Sequence, residues 1–243
     1  MSIGRKKPIY NRILLKISGQ SFQKTNKNIF GIDVLSIERI AKEIKVLLEY
    51  GIEIGVLLGG GNLFRGCNLK KQGLSNVVSD QIGILSTVIN SLAFKDVIQK
   101  LSVKTCLMSS IPIGNIAEIY NYEKAIDLLS NKYVVIFSAG IGNPFFSTDV
   151  AACLRSIEIQ ADVVLKGTRV NGIYDDDPEK YSKTKMYKTL SYDFVLKKEL
   201  KIMDVSAVVL ARDYKVPIRV FNINKTGSLK KVIFGEKEGT IVM

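Results

Sequence analysis

Short apolar runs and helical segments alternate along this chain, and that alternation limits the folds open to it. Residues 12–17 (Arg-Ile-Leu-Leu-Lys-Ile), 52–58, 103–108, 133–137, 161–166 and 218–221 read as β-strands, with a last short one at 239–242. Between them, residues 33–50 place Leu35, Ile37, Ile40, Ile44, Leu47 and Leu48 among charges. That is an amphipathic helix, with Asp33 as its cap and Gly51 past its end. Residues 77–101, 116–129 and the Ala-rich stretch from Thr148 read as further helices, and 189–213 holds one or two more. Strands separated by helices cannot pair through tight hairpins. They lie parallel, and a parallel sheet needs both faces covered. The expectation is an α/β chain folded as one domain over residues 1–243, a three-layer αβα sandwich around a mainly parallel sheet.

What the chain lacks narrows its chemistry. It has no histidine, which removes Ser-His-Asp and Cys-His catalysis, histidine bases and every histidine-containing metal site. Cys67, Cys106 and Cys153 are widely separated and fit neither a disulfide framework nor a Cys-x-x-Cys site, so all three read as structural. Lys, Arg, Asp, Glu, backbone amides and a hard metal ion remain. The net charge of +12 is spread through loops and helix faces, so it suits a solvated surface and anionic small molecules better than nucleic acid. No uninterrupted apolar run approaches the roughly 20 residues that span a bilayer, and the basic N-terminus lacks a signal-peptide core. A cytoplasmic protein is expected.

Four strand ends carry phosphate-binding character. Residues 133–155 run from a strand through Gly140, Gly142, Asn143 and Pro144 into a helix opened by Ser147, Thr148 and Asp149, whose free N–H groups favour an anion. Residues 52–58 run into Gly59-Gly60-Gly61-Asn62-Leu63-Phe64-Arg65-Gly66. Glycines there permit positive φ and leave room for N–H groups to converge on phosphate, with Arg65 able to add a bidentate contact. The spacing is neither a Walker A loop nor Gly-x-Gly-x-x-Gly. Lys16 and Lys166 each stand at the end of an apolar strand, where a lysine either pairs with an acid or faces an anion. Asp80 reads as a first-turn helix acid or a ribose acceptor, and the Asp175-Asp176-Asp177 run as a solvated turn.

Taken together, Lys16-Ile17-Ser18-Gly19, the 59–66 loop, Gly142-Asn-Pro-Phe-Phe-Ser-Thr-Asp149, Asp162-Val-Val-Leu-Lys166, Met203-Asp204, Ala211-Arg-Asp213, residues 217–222 and residues 235–240 resemble the bacterial UMP kinases of the amino-acid kinase fold. The resemblance spans nearly the whole chain in family order. It implies transfer of the ATP γ-phosphoryl group to UMP with Mg²⁺, usually in a homohexamer, with UTP as inhibitor and GTP as activator. The N-terminal part holds the acceptor and the C-terminal part ATP. Position by position, Lys16, Ile17, Ser18, Gly19, Gly61, Arg65, Thr168, Tyr174 and Asp177 match the ATP side. Gly60, Asp80, Ile141, Gly142, Asn143, Pro144, Phe145, Phe146, Ser147 and Thr148 match the UMP side. Lys16, Lys166 and Arg65 are expected to stabilise the transferring group. Asp149 orders Mg²⁺ or a lysine, and Asp204 either orients the lysine cluster or is a plain helix N-terminal acid. The segment 20–28, rich in Lys and Asn and lacking Gly, departs from the family loop that takes part in GTP activation.

Two rivals share these features. A kinase for a carboxylate or carbamate keeps the glycine loop and lysines but has no use for Asp80 facing the 143–146 wall. A basic nucleic-acid protein on the same scaffold predicts a contiguous basic face and steeply salt-dependent affinity.

Overall fold

In a computed structural model of the chain, residues 7–22, 31–176, 181, 183–200 and 202–243 are described, apart from the side chain of Cys67. Its strands are β1 (Arg12–Ile17), β2 (Glu53–Leu58), β3 (Thr105–Ser109), β4 (Glu118–Ile119), β5 (Val134–Ser138), β6 (Val163–Thr168), β7 (Thr189–Leu190), β8 (Ile218–Asn222) and β9 (Thr240–Val242). They form one nine-stranded sheet in the order β4-β3-β5-β2-β1-β6-β8-β9-β7. Every pairing is parallel except that of β8 with β9. The helices are α1 (Val34–Glu49), α2 (Gly66–Lys71), α3 (Asn76–Lys100), α4 (Tyr122–Ser130), α5 (Thr148–Glu158), α6 (Tyr192–Lys197), α7 (Val205–Asp213) and α8 (Ser228–Ile233).

Side-chain alternation splits the interior into two cores. Ile13, Leu15 and Ile17 of β1 pack with α1, α3 and α8 on one face. Leu14 of β1, Leu57, Val135, Phe137 and Val164 pack with α4, α5 and α7 on the other. This is the expected αβα sandwich. The alternation also aims the two strand-end lysines: Lys16 has the parity of Leu14 and Lys166 that of Val164, so both face the α5 layer. The β1–β6 register sets Lys16 directly opposite Lys166.

Some elements differ from the sequence expectation. Residues 116–129 are not one helix, because residues 118–119 pair beside β3 and Asn121 caps α4 through its side chain, accepting the Lys124 N–H at 2.8 Å. Their apolar spacing misled because Ile116 and Ile119 are exposed and bury nothing. Leu35 likewise points outward from α1. The one-turn-and-a-half helices α2 and α8 have no periodic signature at that length. Among the described residues, α3 is long and apolar enough to cross a membrane by length and composition. It is a core helix here, with Ser79, Ser86, Thr87, Asn90 and Ser91 buried along its inner face.

Candidate active site

At the carboxyl ends of the central strands, where open α/β sheets bind ligands, Asp149 stands over the two lysines. Its carboxylate lies 2.8 Å from Lys16 Nζ through Oδ1 and 2.8 Å from Lys166 Nζ through Oδ2. Lys166 also donates to the Ile202 carbonyl, just ahead of α7. Both ammonium groups are almost fully buried, at 6% and 9% residue exposure, which is costly unless the charge is paired. Burial alone would raise the Asp149 pKa, but Lys16 and Lys166 more than offset it and hold it at about 2. Burial pushes Lys166 down, neighbouring Lys16 pushes it further, and Asp149 and Asp204 oppose the fall. Asp204 is the N-cap residue of α7 but makes no side-chain capping bond, so its charge is free to act on that lysine. Three charges are thus held at one point, two of them positive. An incoming polyanion is the natural partner of that surplus.

Beside the cluster, the 18–19 and 59–61 turns touch. Ser18 N–H donates to Gly167, and Gly59 N–H to Ile17. A Cβ on Gly19 would stand 2.7 Å from Gly61 N and one on Gly60 2.6 Å from Ser86 Cβ, so these glycines serve close backbone approach. None of Gly59, Gly60 or Gly61 has positive φ, which corrects the expectation of left-handed turns here. A side chain on Gly61 would approach only Arg65, no nearer than 3.9 Å. The loop is pinned from beneath by a buried amide pair: Asn90 donates to the Gly59 carbonyl at 2.7 Å and exchanges hydrogen bonds with Asn62. Arg65 is exposed, and its Nε reaches the Gly61 carbonyl at 3.3 Å, so the guanidinium stays at the rim.

Across the cluster, the 139–147 loop leads into α5, where Ser147 caps the helix by accepting from Asp149 N–H and Val150 N–H. Ala139, Gly140, Gly142 and Phe145 all have left-handed backbone, at φ of 61°, 58°, 89° and 70°. For Ala139 and Phe145 that conformation costs on the order of 1–3 kcal/mol each and persists only where neighbours fix it. Ala139 N–H donates to Thr87 Oγ1 at 2.9 Å, and Phe145 N–H to Asp80 Oδ2 at 2.9 Å. Asp80 also pairs with Lys70 at 3.1 Å. It lies beyond the first turn of α3, so it is not a first-turn acid; it ties α3 to this loop. Asn143, Phe145 and Phe146 are exposed, while Ile141, Gly142, Pro144, Ser147 and Thr148 are half-buried.

On the β6 side, Thr168 turns its hydroxyl inward to the Val170 and Phe221 carbonyls and accepts the Val170 N–H, organising the turn that leads to Tyr174. Tyr174 bridges to Met186. Ile17 is fully buried, so only its backbone is available to a ligand. Asp177 lies outside the described residues, as do residues 23–28 of the divergent loop. Burial raises the Cys106 thiol to about 11 and the Cys153 thiol to about 12, consistent with structural cysteines.

A family model described as the amino acid kinase family matches residues 11–222. The uridylate kinase of Buchnera aphidicola from Acyrthosiphon pisum is 61% identical over 98% of both chains, and that of Escherichia coli K12 55% over 97% of both. The crystal structure of UMP kinase from Bacillus anthracis superposes with a TM-score of 0.91 at 36% identity, over 96% of both chains. The chain belongs to the amino acid kinase family, among its bacterial uridylate kinases. Within that family frame, the residues brought together are Lys16, Gly19, Gly60, Gly61, Asp149 and Lys166, with Asp80 gripping the opposite loop. Sequence reasoning missed the supports Asn90 and Thr87. The polar residues 79, 86, 87, 90 and 91 recur at helical spacing inside an otherwise apolar helix, a signal that could have marked its inner face.

Proposed function

We infer that the chain is a UMP kinase, transferring the γ-phosphoryl group of ATP to UMP to give UDP and ADP, and that it works as one unit with the acceptor bound by its N-terminal part. The observation that carries this is the Lys16–Asp149–Lys166 cluster between a glycine cradle and a strained, well-supported acceptor loop. Phosphoryl transfer asks mainly for positioning and charge neutralisation, so a histidine-free chain is equal to it.

On this reading Lys16 and Lys166 face the transferring phosphoryl group, with Arg65 closing from the rim. Ile17, Ser18, Gly19 and Gly61 offer backbone to the ATP phosphates, and Thr168, Tyr174 and Asp177 hold the nucleoside end. Gly60, Asp80 and residues 141–148 enclose UMP. Among the described residues no cluster of three acids or cysteines is spaced for a metal. Mg²⁺ therefore fits as a cation carried by the nucleotide phosphates, whose charge it neutralises when bound, with Asp149 the nearest protein carboxylate. A site in the cytoplasm, where both nucleotides occur, follows.

An apolar stripe on α3, formed by exposed Val78, Leu85, Ile89 and Leu92 with Leu74 ahead of it, supports the homohexameric assembly of the same reading. Sedimentation measures it. The activity is tested by coupled ADP release with UMP, CMP, acetylglutamate and carbamate. UMP gives the fastest turnover; an amino acid or carbamate turned over in its place refutes the reading. UTP inhibition and GTP activation are read in the same assay.

A further inference from the structure

Arg155 is 5% exposed on α5, one turn short of the helix end. Its guanidinium carbon stacks 3.6 Å from the centre of the Tyr120 ring. Nη1 pairs with Glu158 at 2.5 Å, and the Tyr120 hydroxyl donates to the same Glu158 oxygen at 2.6 Å. Tyr120 is itself wedged edge-on against Phe137 of β5. The guanidinium is thus held by the Tyr120 face and by Glu158, and its Nη2 is aimed at Ser110 Oγ, at 2.9 Å. With that bond accepted, the Ser110 hydroxyl hydrogen is directed onward to the Gly140 carbonyl at 2.7 Å. The Ser110 carbonyl lies beneath Gly142, 3.0 Å from where a Cβ would stand. Ser110 therefore touches two of the four left-handed residues of the acceptor loop.

We propose that Arg155, acting through Ser110, is a positioning residue for the acceptor nucleotide. The guanidinium orients the Ser110 hydroxyl, and the hydroxyl fixes the left-handed backbone at Gly140, next to strained Ala139. The chain returning along α5 thus locks the loop from which that helix began. The inference rests on the assignment of residues 141–148 to the acceptor. Glu158 and Tyr120 hold the buried guanidinium in place, and its remaining Nη2 reaches the one hydroxyl that touches the loop.

The test is steady-state kinetics of Ser110→Ala, Ser110→Thr and Arg155→Met with each substrate varied in turn. Loss of one neutral hydrogen bond to the loop raises half-saturating UMP roughly two- to tenfold in Ser110→Ala, with half-saturating ATP unchanged. Ser110→Thr keeps the hydroxyl and restores the wild-type value. Because Arg155 acts through the Ser110 hydroxyl, adding Arg155→Met to Ser110→Ala raises half-saturating UMP no further than Ser110→Ala alone. Unchanged UMP dependence in Ser110→Ala, equal shifts for UMP and ATP, or full additivity overturns the inference. Wild-type turnover with UMP is measured first. Its absence overturns the activity reading separately, and the same comparison is then made on whichever acceptor the wild type uses.

Discussion

Replacing Asp149 with asparagine leaves Lys16 and Lys166 buried side by side without the carboxylate that now lies 2.8 Å from each. The lysines lower the Asp149 pKa from its ordinary 3.8 to about 2. At about 1.36 kcal/mol per unit, the carboxylate's ionised form is favoured by roughly 2.5 kcal/mol in the folded protein. The sign follows from a depressed acid: this stability is present above pH 3.8 and is lost as pH falls toward 2. Asparagine loses that and leaves two unpaired buried cations, so the total reaches about 3–5 kcal/mol. For a chain of this size the unfolding midpoint falls by roughly 6 to 20 °C. The phosphates of ATP supply the missing negative charge, so ATP raises the midpoint of Asp149→Asn more than that of wild type. Adding Lys16→Met removes one of the two stranded cations and recovers part of the loss. Thermal unfolding of the three proteins with and without ATP decides the matter. A single variant melting within about 2 °C of wild type, or equal stabilisation of both by ATP, refutes this account.

Lys166 gives up its proton more readily than an ordinary lysine, through burial and the charge of Lys16. Turnover therefore declines on the alkaline side below pH 10.5, while the lysine's own burden on stability is relieved over the same range; a pH profile still flat at 10.5 contradicts this. Gly60→Ala drives a Cβ to within 2.6 Å of Ser86 Cβ and 2.9 Å of the Gly83 carbonyl, neither of which ends a flexible side chain. It costs about 1–3 kcal/mol in denaturant unfolding and lowers turnover at least tenfold. Asp80→Asn loses the Lys70 ion pair and weakens the bond from Phe145 N–H, raising half-saturating UMP several-fold. Altered ATP dependence with unchanged UMP dependence would place Asp80 on the wrong substrate.

The alternation of β-rich and helical runs sufficed for the sandwich, because crossover connections leave strands little choice but to lie parallel. It failed at residues 116–129, where Ile116 and Ile119 imitate a helical stripe while facing outward. The strand-end lysines were legible as residues needing a partner, and the acid opening α5 was legible as a candidate. Their meeting depended on something no local window holds, the register that sets Lys16 beside Lys166. The glycine loop was legible as special, but not through left-handed backbone: α3 crowds Gly60 and the 17–19 segment approaches Gly59, while Gly61 has open space. Arg155 was invisible as a contributor because, besides Glu158 one turn along its own helix, its partners Tyr120 and Ser110 come from separate segments that only the fold brings to it.

The glycine loop and the 139–147 loop share one support. α3 holds the glycine cradle through Asn90, and the acceptor loop through Thr87 and Asp80. On the proposed assignment, one helix thus positions both the donor and the acceptor side of the site. This role also explains why polar side chains line the inner face of a helix whose outer face is apolar. Buried amides and hydroxyls are costly unless satisfied; here Asn90 and Thr87 also fix loop backbone, while the Ser86 and Ser91 hydroxyls donate back to carbonyls of their own helix. Asp149 completes the arrangement on the opposite layer, carrying the negative charge that holds the two lysines side by side.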